Sequence, residues 1–188
     1  ADRDRFVGMQ YQREDPPVGR PRVYWSPDSK WLIALRYEPG VERHVHIVES
    51  SPEDQLQPML HSYTYLKAGD RIPIQKPTLF HISTRKEMTL DDTLYSNPWS
   101  INQMRWDKES QRFTFLFNER GHQVLRVIAV EVSTGNVQSL IDEQSDTFLD
   151  YAYKNHYRIM ESSKEILWMS ERDGWNHLYL FDAETGFM

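Results

Sequence analysis

Val23-Tyr-Trp-Ser-Pro-Asp-Ser-Lys-Trp-Leu-Ile-Ala-Leu-Arg-Tyr37 decides the fold of this chain, because its pattern returns twice. An aromatic or apolar residue leads, a polar turn containing Ser follows, and an apolar run comes next. The second copy runs from Met104 to Phe117, with Trp106 answering Trp25 and Ser110 answering Ser29, both 81 residues on. The third runs from Tyr157 to Ser170, with Ser163 answering Ser110 and Trp168 answering Phe115, both 53 further. Each copy reads as a strand, a tight polar turn and a second strand. Recurring β-units of this size mark stacked modules, and their usual closed form is a propeller.

The copies extend beyond the hairpin. Asn118-Glu-Arg-Gly121 and Glu171-Arg-Asp-Gly174 keep the spacing of 53, and Gly40 lies 81 before Gly121. A glycine closing such a polar cluster is expected to supply the positive φ of a turn. A third strand follows, with Leu125 answering Leu178 and Val127 answering Leu180. Second turns come at Ser133-Thr-Gly135 and Glu184-Thr-Gly186, now 51 apart, and the matching turn of the first copy is Ser83-Thr-Arg-Lys86, 50 before. The early spacing of 81 against the late spacing of 50 places a 31-residue insertion between Gly40 and Ser83.

The reading is therefore all-β: a partial β-propeller of about three four-stranded antiparallel blades belonging to a larger ring. Residues 1–22 form a proline-rich lead-in, 23–92 a blade with the insertion, 99–143 a second blade and 150–188 a blade lacking its last strand. Inside the insertion, His44–Val48 and Met59–Tyr65 read as strands, and no helix is expected anywhere. Equivalent positions should be held by Trp25, Trp106 and Ile159, and by Leu79, Leu125 and Leu178. A blade short of a strand leaves an open edge, and three blades do not close a ring of four to eight, so the chain is expected to be a piece of a longer protein. The leading face of the first blade, the trailing face of the third, and the bare strand Trp175–Phe181, uncharged over Leu178–Phe181, are expected to drive self-association.

Composition narrows the function. The chain has 188 residues, a net charge of −6 and scattered basic residues, which give no nucleic-acid surface. No apolar run is long enough to span a membrane. Zero cysteines exclude disulfides and Cys-based metal sites.

Three stretches carry a family resemblance. Tyr65-Leu-Lys-Ala-Gly-Asp-Arg-Ile-Pro73 resembles the Tyr-Pro-Lys-Ala-Gly-x-x-Asn-Pro segment of dipeptidyl peptidase IV-type propellers, with Leu66 for the Pro and Ile72 for the Asn. Trp25-Ser-Pro-Asp28 resembles their blade opening. Ser170-Glu-Arg-Asp-Gly-Trp-Asn-His-Leu-Tyr179 is similar to their Ser-Glu-x-x-Gly-Trp-x-His-Leu-Tyr run and is the most specific of the three. The resemblance implies an eight-bladed ring over an α/β-hydrolase domain, in serine exopeptidases that release dipeptides, often X-Pro. It also implies peptide substrates as partners and a periplasmic or secreted location.

The chain itself is read as non-catalytic. A nucleophile elbow needs Gly-x-Ser-x-Gly, and no two of the eight glycines lie four apart. No catalytic, cofactor-binding or metal residue is therefore assigned, and no cofactor is expected. His44 and His46 share a strand face as zinc ligands would, but lack an evident third ligand. Glu14 and Asp15 stand where the resemblance would place an acidic pair for the substrate's free amine, but Pro16 and Pro17 follow and the pair reads as a solvated loop. Glu171, Arg172 and Asp173 read as the solvated tip of a turn. Trp168 and Trp175 are expected between blades. Lys67 and Arg71, in the insertion, are candidates for contact with the hydrolase domain. The competing reading is a propeller that binds proteins or ligands as a scaffold.

Overall fold

The computed structural model describes residues 22–153 and 156–188. Glu14 and Asp15 lie outside the described residues. The described residues form two compact units: a small one at Tyr37–Ile74, and a large one comprising residues 22–36 together with Gln75–Met188.

Three antiparallel sheets form the large unit. In the first, β1 (Val23–Trp25), β2 (Trp31–Glu38), β5 (Ile74–His81) and β6 (Lys86–Met88) run in the order β1-β2-β5-β6. The second orders β7 (Pro98–Trp106), β8 (Arg112–Glu119), β9 (Val124–Glu131) and β10 (Val137–Gln144) as simple neighbours. The third holds β11 (Tyr157–Met160), β12 (Glu165–Ser170) and β13 (His177–Asp182). This is a partial β-propeller, with two four-stranded blades and one three-stranded blade.

The hairpin register follows from the repeated turns. Trp25 pairs Leu32, Trp106 pairs Phe113 and Ile159 pairs Ile166, so all three leading residues face a partner seven positions on. The third-strand equivalence differs from the expectation. Asn118 pairs Leu125, but Met169 pairs Leu178, so the β12–β13 hairpin is one residue pair shorter than β8–β9. Its two missing residues are lost within the hairpin, not at the following turn, which makes Val127 and not Leu125 the counterpart of Leu178. A shift of two keeps every side chain on its own face, so sequence alternation alone does not reveal it.

Alternation along β8 divides the core in two. Phe113, Phe115 and Phe117 pack with Ile33, Leu79, Tyr95, Ile128 and Val130 between the first and second blades. Leu116, Leu125, Val127, Ala129 and Leu140 pack with Ile166, Trp168 and Phe181 between the second and third. Trp168 is fully buried as expected, whereas Trp175 is 74% exposed. Trp175 follows the Gly174 turn instead of lying on a strand, and its N–H is held by Asp173 Oδ1 at 3.1 Å, which leaves the indole in solvent. One short 3-10 turn, Thr93–Tyr95, interrupts the otherwise helix-free described residues and buries Tyr95 against Phe115 (ring centroids 5.2 Å apart).

The two second turns superimpose in detail. Gly135 and Gly186 have φ of 73° and 75°, and their N–H groups donate to the carbonyls of Glu131 and Asp182, four residues back. In the first blade the matching position is Arg85, at φ 54°, a left-handed conformation carried without glycine.

In the small unit β3 (His44–Glu49) pairs with β4 (Met59–Thr64) as an antiparallel hairpin. Gly40 corrects the expectation from the turn glycines, because its φ is not positive. A Cβ there would lie 2.6 Å from Pro73 N and 2.7 Å from Arg71 O, so glycine is needed for backbone approach. Gly40→Ala is expected to cost about 2 kcal/mol through overpacking against immobile backbone. Faster amide exchange at Val41, whose N–H donates to Arg71 O at 2.8 Å, is the measurement.

Candidate functional site

The richest chemistry in the large unit gathers at the ends of β8, β10 and β12. Leu125 is paired on one side with Asn118 and on the other with Glu143, so these three residues form a row across the second blade. Connections leaving this row bring in the functional side chains.

At the β8–β9 turn, His122 takes φ 59° beside Gly121 at φ 112°. Its ring stacks on Tyr151 with centroids 4.2 Å apart, and meets Trp99 at 5.2 Å and Phe148 at 5.8 Å in edge-to-face geometry. The connection after β10 is tied to this turn: Leu149 N–H donates to His122 O at 2.8 Å, and the Gln123 amide donates to Asp146 O at 2.9 Å. Asn118 Oδ1 lies 3.1 Å from His122 Nδ1. An amide oxygen only accepts, so Nδ1 carries the proton and the neutral ring presents Nε2 as an acceptor. Asn118 Nδ2 is buried with no hydrogen-bond partner. The result is an aromatic shelf whose outer edge is the exposed ring of Phe148.

Burial lowers the His122 pKa from its ordinary value by disfavouring the imidazolium. The unfolded chain, with a histidine pKa near 6.5, therefore takes up its proton first as pH falls. Stability is complete above about pH 6.5 and is lost as pH drops through the lower folded pKa. A Tm–pH profile should slope downward below about pH 6.5, and His122→Phe, which keeps a ring on Tyr151, should flatten that part. An unchanged slope would refute the assignment to His122.

A second cluster joins the second blade to the third. The Glu143 side chain is only 5% exposed, and its oxygens accept from Ser170 Oγ at 2.5 Å, Trp168 Nε1 at 3.2 Å and Arg172 Nη2 at 2.5 Å. The Arg172 guanidinium also lies over the rings of Tyr179 and Phe181, at 4.8 and 5.1 Å. This corrects the reading of Arg172 as a turn tip: the turn folds its side chain back onto a buried carboxylate 29 residues earlier. Asp173 stays at the surface and pairs with His177 at 2.9 Å. Its carboxyl is held below the usual carboxylate range, first by the Trp175 N–H.

The other candidates remain separate. His44 and His46 share one face of the β3–β4 hairpin, opposite Thr64 and Ser62. Among the described residues no three His, Cys, Asp or Glu side chains gather as a metal site. In the Lys67–Arg71 loop the Lys67 N–H donates to Asp70 Oδ2 at 2.9 Å, and Arg71 O accepts from Val41 N–H, so both residues shape the loop through their backbone. Sequence reasoning passed over His122, Glu143, Phe148 and Tyr151. Glu143, two residues past the apolar Ile141 on the same face of strand β10, was the one available signal.

Fold and repeat define the class as an incomplete β-propeller. The chain belongs to the dipeptidyl peptidase IV (DPP IV) N-terminal region family, whose sequence profile matches residues 19–187. Its fold is similar to dipeptidyl peptidase 4 from Porphyromonas gingivalis (18% identity, TM-score 0.64), covering 88% of this chain and 23% of that one. It is also similar to a putative dipeptidyl aminopeptidase IV from Bacteroides ovatus (18% identity, TM-score 0.58), covering 87% of this chain and 23% of that one. The chain thus spans under a quarter of the length of these two proteins. Among the described residues no helix is long and apolar enough to cross a membrane.

Proposed function

We propose that this chain is a non-catalytic propeller segment of a dipeptidyl peptidase IV-like serine exopeptidase, gating and positioning peptides over a separate α/β-hydrolase domain. The family match over residues 19–187 carries the reading. The lack of a Gly-x-Ser-x-Gly elbow supports assigning the chemistry to another part of the polypeptide. The aromatic shelf of Trp99, His122, Phe148 and Tyr151 supplies flat apolar faces on which peptide side chains and rings can rest. Peptides are the partners, and the protein works in the periplasm or outside the cell, as the resemblance implies.

The test compares the 188-residue chain with the protein encoded by the complete gene, using a Gly-Pro chromogenic substrate. The complete protein should turn over and the chain alone should not. In the complete protein Phe148→Ala should raise KM more than it lowers kcat. Turnover by the purified chain that responds to a serine-directed inhibitor would overturn the non-catalytic assignment, and an inert complete protein would favour the scaffold reading.

The isolated chain is also proposed to self-associate. Leu178 and Leu180 are 57% and 44% exposed on the edge strand β13, whose run Leu178–Phe181 carries no charge or proline to protect the ladder. Sedimentation at several concentrations tests this, and a strictly monomeric chain at high concentration would refute it.

A further inference from the structure

The two interblade spaces differ at their turn ends. Between the first and second blades, Tyr24, Trp31, Ile33 and Met88 pack into the core, and the Trp31 ring meets His81 edge-on at 4.5 Å. The paired registers give the equivalents of these five residues one blade on. Tyr24 pairs Ile33 as Arg105 pairs Thr114, Trp31 stands 81 before Arg112, and Leu79 pairs Met88 as Ala129 pairs Gln138, which carries His81 to Glu131. Five positions that are aromatic or apolar toward the second blade are thus Arg105, Arg112, Thr114, Glu131 and Gln138 toward the third. Instead of a core they line a cleft of about 720 Å³.

The cleft's own groups carry unused bonding capacity. Thr114 is 7% exposed, and its Oγ1 has no hydrogen-bond partner. Arg112 and Glu131 are half-buried cross-strand partners, and among the described residues neither has an ion pair. Neighbouring charges are already matched at the rim, Lys108 with Glu161 at 2.7 Å and Lys164 with Glu184 at 2.6 Å. Leu140, Ile159 and Ala183 add apolar lining.

We infer that this cleft binds a small zwitterion with an aliphatic side chain, of free amino-acid type. Its carboxylate is taken by Arg112, its ammonium by Glu131 and a remaining oxygen by the Thr114 hydroxyl. Cross-strand partners stand about 5 Å apart at Cβ, which suits two opposite charges carried on one carbon. A guanidinium binds a carboxylate through paired N–H donors, and a carboxylate accepts from an ammonium. Adjacent apolar lining and few convergent polar groups are what a small-molecule pocket needs. The inference does not depend on the peptidase reading.

Titration of the isotope-labelled chain with L-leucine, followed by amide chemical shifts, tests the assignment. Saturable shifts confined to residues 105–114, 129–140 and 159–164 are expected, with Kd of about 1 mM. N-acetyl-leucine, which lacks the ammonium, and leucinamide, which lacks the carboxylate, should each bind at least about tenfold more weakly. Arg112→Gln should abolish discrimination against leucinamide, and Glu131→Gln discrimination against N-acetyl-leucine. The Trp168 indole signal reports whether each variant is folded, and the ligand panel on the unaltered chain decides the matter if one is not. No saturable shift in the cleft, or equal responses to all three compounds, overturns the proposal.

Discussion

Trp168→Ala should be the most damaging single substitution in the described chain, costing about 4 kcal/mol. The indole is fully buried between the second and third blades, beside Leu125, Ile166 and Phe181. Its ring centroid lies 5.9 Å from that of Tyr157, and its Nε1–H donates to Glu143. Alanine removes the largest buried side chain of this interface, and strands on either side are fixed by their ladders, so the space cannot collapse. One donor to a buried carboxylate is lost at the same time. Urea unfolding should show the loss as a lower midpoint, and Trp168→Phe should recover most of the packing without the hydrogen bond. A change below about 1 kcal/mol in the alanine variant would show that the third blade is not held through Trp168.

Arg172→Ala should be second, at about 3 kcal/mol, because it leaves the Glu143 carboxylate buried without its cation. The Arg172 side chain is 29% exposed, so water relieves part of the penalty and the figure stands at the lower end for a broken buried pair. Loss of the cation's contacts with Tyr179 and Phe181 adds to it. Glu143→Gln with Arg172→Met should restore most of the stability, since both charges and their desolvation cost are gone while the amide oxygen still accepts from Ser170 or Trp168. The double-mutant cycle from urea unfolding should therefore show a coupling of more than about 1 kcal/mol. Additive losses would mean that the two groups act independently.

These predictions rest on features of different legibility. Strand–turn–strand units were legible because hairpins are local: Trp25, Trp106 and Ile159 meet partners only seven residues on. Turn glycines were readable only in part. Gly121, Gly174, Gly135 and Gly186 take positive φ, but Arg85 does so without glycine and Gly40 is a glycine for another reason. Side-chain type reports a backbone conformation only where no neighbour overrides it.

The sequence by itself determined the repeat, the all-β class and the blade size, because alternation and turn chemistry are properties of adjacent residues. It also held the family motifs at Tyr65–Pro73 and Ser170–Tyr179. Only the tertiary structure decided that Arg172 serves Glu143 and that Trp175 faces solvent. It alone drew His122, Phe148 and Tyr151 into one shelf and turned five equivalent positions from a core into a cleft. In each case the partner lies on another blade or another connection, at a sequence distance set by loop lengths and hairpin register. A hairpin shortened by one pair moves those partners without changing the pattern of alternation, so contacts of this kind follow from packing and not from spacing.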